Sequence, residues 1–209
     1  MPQFGISRWF ILCFLPFLAG CYSLHYDSIE RLDLSGGEVL REQVREAQMA
    51  LAEAKREVAA LRELFLSTVA GKDNYPLGLK SLKRKYEQSL KRAWTAFDEI
   101  EQIRITAGNF FSLQRVGPYA YERLDRAAAF FQLRKEYMDM MIFLARTEET
   151  TILTLGMLHQ AVLYLEQEHP GGTGISMQID AEHMQKELHV VIDHLERAVA
   201  QTQAFIRKM

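Results

Sequence analysis

The stretch EVLREQVREAQMALAEAKREVAALRELFLSTV, residues 38–69, decides the fold. Leu40, Val44, Ala47, Leu51, Ala54, Val58, Leu61 and Phe65 step by 4, 3, 4, 3 without a miss. That mean spacing of 3.5 residues keeps one apolar seam facing a neighbouring helix, which is the coiled-coil condition. Charged residues flank the seam, as in Arg45-Glu46 and Lys55-Arg56-Glu57. Ser35 and Glu38 are spaced as a capping box, in which each side chain satisfies a free backbone N–H at a helix start. A helix over 38–69 makes a rod of roughly 48 Å at 1.5 Å per residue.

Downstream, AGKDNYPLG (70–78) reads as a turn, because Gly, Asn and Pro punctuate it. A second helix is expected from Leu79 to Phe110, with Leu79, Leu82, Tyr86, Leu90, Ala93, Phe97, Ile100 and Ile103 on its apolar face. The short connection returns the chain antiparallel as a helical hairpin. Gly117-Pro118 marks the next break. A long helical pattern then covers Tyr119 to about Glu168, with Leu124, Phe131, Met138, Met141, Leu144, Leu155, Leu158, Val162 and Leu165 as its face. Thr150-Thr151 and Gly156 are weaker helix formers and are expected to bend it. HPGGTGIS (169–176) reads as a loop. A last helix starts near Asp180, and Met184, Leu188, Val191, Leu195, Ala198, Thr202 and Phe205 again step only by 4 and 3. No strand-like alternation occurs. The expected fold is all-α, an elongated antiparallel bundle of four long helices with coiled-coil hairpins.

Upstream lies FLPFLAGCYS, residues 14–23. The chain begins with one positive charge, Arg8, and then runs apolar from Trp9 to Gly20. That run is shorter than the roughly 20 residues a spanning helix needs, and Pro16 interrupts it. A basic start, a short apolar stretch and small residues before a cut fit a secretory signal. Leu18-Ala19-Gly20-Cys21 resembles the lipobox of bacterial lipoproteins, which implies cleavage between Gly20 and Cys21 and acylation of the Cys21 thiol and the new amino terminus. The expected organisation is a lipoprotein signal peptide over 1–20, a lipidated tether over 21–35 and a helical domain over 36–209. Several acyl chains anchor firmly, since each buried methylene adds about 0.8 kcal/mol. Tyr22 follows the cysteine where an Asp would retain the protein at the inner membrane, so the outer membrane facing the periplasm is the expected location.

Cys13 and Cys21 are the two cysteines of the chain. Cleavage removes the first and acylation blocks the second, so the mature domain has no thiol for a disulfide or a thiolate metal site. Loss of Arg8 leaves 24 basic against 27 acidic residues, a net charge of about −3. That excludes the basic stripe a nucleic-acid binder needs and the polybasic patch that would hold anionic lipid.

With these residues laid out, the mature chain resembles the lipoproteins of the family called domain of unknown function 2959. The resemblance rests on Tyr22-Ser23, Val44-x-x-Ala47, Glu53-Ala54, Phe65, Leu82-x-x-x-Tyr86-Glu87-x-Ser89, Gln160-x-x-Leu163-Tyr164-Leu165 and Ala204-Phe205-Ile206, in that order. It covers nearly all of the mature chain and departs at Lys80, Lys83, Arg84 and Lys85, where the family is more acidic. It implies a helical fold and an envelope location, and it transfers no catalytic residue.

Motifs for chemistry are few. Gly71-Lys72-Asp73 lacks the upstream glycine and the Ser/Thr of a phosphate loop. There is no Gly-x-Ser-x-Gly elbow and no His-Glu-x-x-His. The sharpest metal candidates are Glu166-x-x-His169 and Asp180-x-x-His183, since bundles hold paired ions with Glu-x-x-His on facing helices. They sit at helix ends, His169 precedes Pro170, and further Glu ligands are not evident, so no metal and no cofactor is expected. His159, His189 and His194 show no ligand spacing and read as polar-face or boundary residues. Phe130-Phe131 and Met138–Phe143 (MDMMIF) read as core, because a long amphipathic helix must bury a face, and 80–92, rich in Lys and Arg, as a solvated face.

The functional expectation is a non-enzymatic, lipid-anchored scaffold or interaction protein of the cell envelope. Its partners would be the membrane, through the anchor, and a protein or a second copy, through coiled-coil faces. One alternative is a binding module, with the Met/Phe cluster lining an apolar pocket for a lipid or small ligand. A metal-dependent enzyme is the third.

Overall fold

In the computed structural model, the described residues are Gly36–Ala70, Tyr75–Leu113, Leu124–Gln167 and Gly174–Met209. They form four helices: α1 (Gly36–Ala70), α2 (Tyr75–Leu113), α3 (Leu124–Gln167) and α4 (Gly174–Lys208). No strand occurs among them. Backbone contacts divide the chain into Met1–Val39 and Leu40–Met209. Of the first unit only the opening turn of α1 is described, and Ser35 of the expected capping box lies outside the described residues.

The second unit is a four-helix bundle, and its seams are the ones the spacing predicts for α1 and α4. Leu40, Val44, Ala47, Leu51, Ala54, Val58, Leu61 and Phe65 are all buried, as are Met184, Leu188, Val191, Leu195, Ala198, Thr202 and Phe205. Each helix touches two neighbours. Between α1 and α2, the Lys85 ammonium is 2.6 Å from the Glu57 carboxylate and Arg92 is 3.1 Å from Glu53. Between α2 and α3, Tyr86 stacks on His159 and Phe111 packs against Tyr137. Between α3 and α4, Tyr137 meets Phe205 and Lys208 meets Glu136. Between α4 and α1, Lys55 faces Glu196, and Arg41 donates to the Ile206 carbonyl at 3.4 Å. At every interface the residue numbers fall along one helix as they rise along the other. The connectivity is therefore up-down-up-down, with antiparallel neighbours closing a ring.

Buried polar groups bond locally. Thr147, Thr151 and Thr202 are fully buried, and each hydroxyl donates to the carbonyl one turn back, those of Phe143, Thr147 and Ala198, at 3.0, 2.7 and 3.0 Å. A buried hydroxyl bonded in this way avoids the cost of an orphan group. Ser89 reaches across instead, donating to the Glu57 carbonyl of α1 at 3.1 Å.

The structure corrects three expectations. First, α2 begins at Tyr75, so the turn assigned to 70–78 already contains the first helical turn. Pro76 fits there because a first-turn N–H has no helical partner to lose. At Gly78 a Cβ would come within 3.3 Å of the Thr68 side chain, so the glycine lets the end of α1 and the start of α2 pack closely. Second, α4 begins at Gly174 rather than near Asp180, so only the first part of HPGGTGIS falls between helices. Third, Phe131 and Met138 are exposed, while Tyr137, Met140, Met141 and Leu144 are buried. The helix is apolar on two opposite sides, and its neighbours decide which side is core. Helix α3 runs unbroken through Thr150, Thr151 and Gly156.

The packing makes three predictions about stability. Leu51 is fully buried, and Leu51→Ala is expected to cost about 2–5 kcal/mol in chemical denaturation. Gly156 has open space where a Cβ would go, and Gly156→Ala is expected to gain up to about 1 kcal/mol. The Glu136 carboxyl is held below its ordinary range by side-chain hydrogen bonds from Lys208 and Gln132. A lowered carboxylate pKa stabilises the fold above the unfolded value and loses that contribution as pH falls through the folded one. Lys208→Ala should therefore destabilise at pH 7, by roughly 0.2–1 kcal/mol for a partly exposed pair. The gap from the parent should narrow as pH falls below the ordinary carboxylate range.

Candidate functional site

The sequence-derived metal candidates do not converge among the described residues. Glu166, near the end of α3, pairs with Lys83 of α2. His183 is exposed on α4. Asp180 belongs to the same helix, one turn earlier, and His169 lies outside the described residues. Gly20 and Cys21 lie outside them as well. Among the described residues no group of three or more His, Cys, Asp or Glu side chains could hold a metal ion.

The remaining histidines sit where the boundary reading puts them. His159 is exposed and stacked on Tyr86, with ring centroids 5.4 Å apart. His189 is exposed, 3.5 Å from an Arg62 nitrogen and 3.8 Å from Asp193. His194 is half-buried against Phe143, and its Nδ1 has no hydrogen-bond partner.

Among the described residues, clefts open between helices. One, of about 480 Å³, is lined by Arg62 of α1 and by Glu182, Gln185, Lys186 and His189 of α4. Another, of about 270 Å³, lies between α2 and α3 and includes Arg104, Phe111, Arg134, Tyr137 and Met138. Burial pushes the Tyr137 hydroxyl above its ordinary range. The Met/Phe cluster is divided rather than gathered around a pocket. Met140 and Met141 are core, Phe130 and Phe143 pack partly against it, and Phe131, Met138 and Ile142 face outward.

The outward residues continue along the whole of α3. Phe131, Met138, Ile142, Leu153, Met157 and Tyr164 are all exposed, from 39 % at Met157 to 65 % at Phe131. At 100° per residue they fall within one stripe, on the side of α3 opposite its buried face. Phe131, Ile142, Leu153 and Tyr164 recur every 11 residues, a period close enough to three helical turns that the stripe runs nearly parallel to the helix axis. The other three helices carry no comparable apolar line on their outer faces among the described residues. The 11-residue spacing is present in the sequence, but the expected core face takes in Phe131, Met138 and Ile142 and leaves Leu153, Met157 and Tyr164 unassigned.

No curated protein and no solved structure was found to match the chain. The family model described as "Protein of unknown function (DUF2959)" matches residues 25–209, and the chain belongs to that family.

Proposed function

We infer that the protein is a lipid-anchored helical scaffold of the cell envelope, with no catalytic role, that offers the outer face of α3 to a protein partner. The observation that carries this reading is the exposed stripe. Its six apolar residues, Phe131, Met138, Ile142, Leu153, Met157 and Tyr164, are all exposed on the side of α3 away from the core. They form two groups, Phe131 to Ile142 and Leu153 to Tyr164, with the exposed Arg146 and Glu149 between them, and large apolar side chains held in line on an outer face mark a place where something else packs.

The anchor half of the reading rests on Leu18-Ala19-Gly20-Cys21. No helix among the described residues is long and apolar enough to cross a membrane, so attachment under this reading falls to acyl chains on Cys21. Tyr22 after the cysteine favours the outer membrane, with the bundle in the periplasm. The near-neutral charge fits a partner recognised by apolar packing rather than a polyanion.

Metabolic labelling with a fatty-acid analogue, followed by membrane fractionation, tests the anchor. The parent chain should take up label and sediment with membranes. Cys21→Ala should lose both. Label absent from the parent as well would remove the anchored reading.

A further inference from the structure

We propose that the outer face of α3 pairs with the same face of a second copy, antiparallel, about a two-fold axis passing between Thr147 and Glu148. This rests on the reading of that face as an interaction surface and names its occupant.

The order of residues along the stripe carries the proposal. In sequence it reads Phe131, Lys135, Met138, Ile142, Arg146, Glu149, Leu153, Met157, Gln160, Tyr164, all of them exposed. The steps are 4, 3, 4, 4, 3, 4, 4, 3, 4, the same in both directions. The chemistry mirrors as well. From the centre outward each half runs charged, aliphatic, methionine, polar, aromatic. A two-fold interface requires that if residue i meets j, then j meets i. Here the antiparallel match sets Phe131 against Tyr164, Lys135 against Gln160, Met138 against Met157 and Ile142 against Leu153. It sets Arg146 against Glu149, twice.

The two central charges choose the direction. In a parallel pairing Arg146 would oppose Arg146 and Glu149 would oppose Glu149. In the antiparallel pairing each meets its opposite across the axis. Neither side chain has an ion-pair partner among the described residues. The near-axial run of the stripe allows two α3 helices to stay in contact over its length, about 50 Å at 1.5 Å per residue.

Cross-linking in cells tests the geometry on the full chain. Two differently tagged copies are co-expressed in a bacterial host, one carrying Ile142→Cys and the other Leu153→Cys, and mildly oxidised. The parent chain, which keeps Cys13 and Cys21, sets the background. The expected result is a mixed-tag dimer for the 142/153 pair. Like pairs should stay at background, because two copies of position 142 would lie about 16 Å apart along the axis, beyond disulfide reach. Adding Arg146→Glu to both copies should abolish the product, as should Glu149→Arg in both. Placing Arg146→Glu on one copy and Glu149→Arg on the other should restore it. All substituted positions are exposed, so loss of folding does not mimic loss of pairing. No product above background, like pairs linking as well as unlike ones, or indifference to the charge changes would each overturn the proposal. A chain that takes up lipid label through Cys21 yet gives no mixed dimer would leave the anchored scaffold standing and sink the self-pairing alone.

Discussion

An apolar seam about seven turns long cannot stay in water, and the seam of α1, Leu40 to Phe65, sets the terms for the rest of the bundle. Its burial needs flanking surfaces of similar length, which α2 and α4 supply from either side. Helix α3 then closes the ring against both. Isolated helices owe little of their stability to propensity, so α1 is helical because its neighbours are there. The polar contacts at the interfaces mainly set register. The Ser89 hydroxyl on the Glu57 carbonyl fixes α2 against α1 at one level, and the ion pairs from Lys85 and Arg92 flank it.

The buried faces tolerate hydroxyls because threonine satisfies itself. Thr147, Thr151 and Thr202 return their hydrogen bonds to their own helices. A cross-helix network would be lost as a unit if one member were removed, whereas these bonds are independent of one another. The aromatic end is different. Phe110, Phe111, Phe130, Tyr137 and Phe205 interlock through tilted and edge contacts, so the ends of α2 and α4 and the first turns of α3 are tied into one cluster.

Legibility in the sequence followed how many faces each helix had to bury. For α1 and α4, with one apolar stripe each, the residues that the 4, 3 spacing picks out are all buried. For α3, apolar on two sides, spacing alone could not say which side met the core, and Phe131 and Met138 went to the wrong face. Helix starts were misplaced for a local reason: Pro76 and Gly174 look like breakers, yet both residue types are compatible with a first turn. The metal candidates Glu166-x-x-His169 and Asp180-x-x-His183 rest on spacing along the chain, and such spacing says nothing about what faces a residue from another helix. The lipidation motif at Cys21 lies outside the described residues, and nothing in the bundle bears on it.

The contact between Arg41 and the Ile206 carbonyl joins residues 165 positions apart. Helix α1 is among the first parts of the domain to be synthesised, and its second flank arrives only with α4. Antiparallel neighbours such as α1 and α2 meet early, because short connections make their contacts local. The ring itself closes last, over almost the full length of the chain. Until then the seams of α1 and α3 each lack one of their two flanks, and an emerging chain exposes apolar surface of the kind that draws chaperones and misassociation.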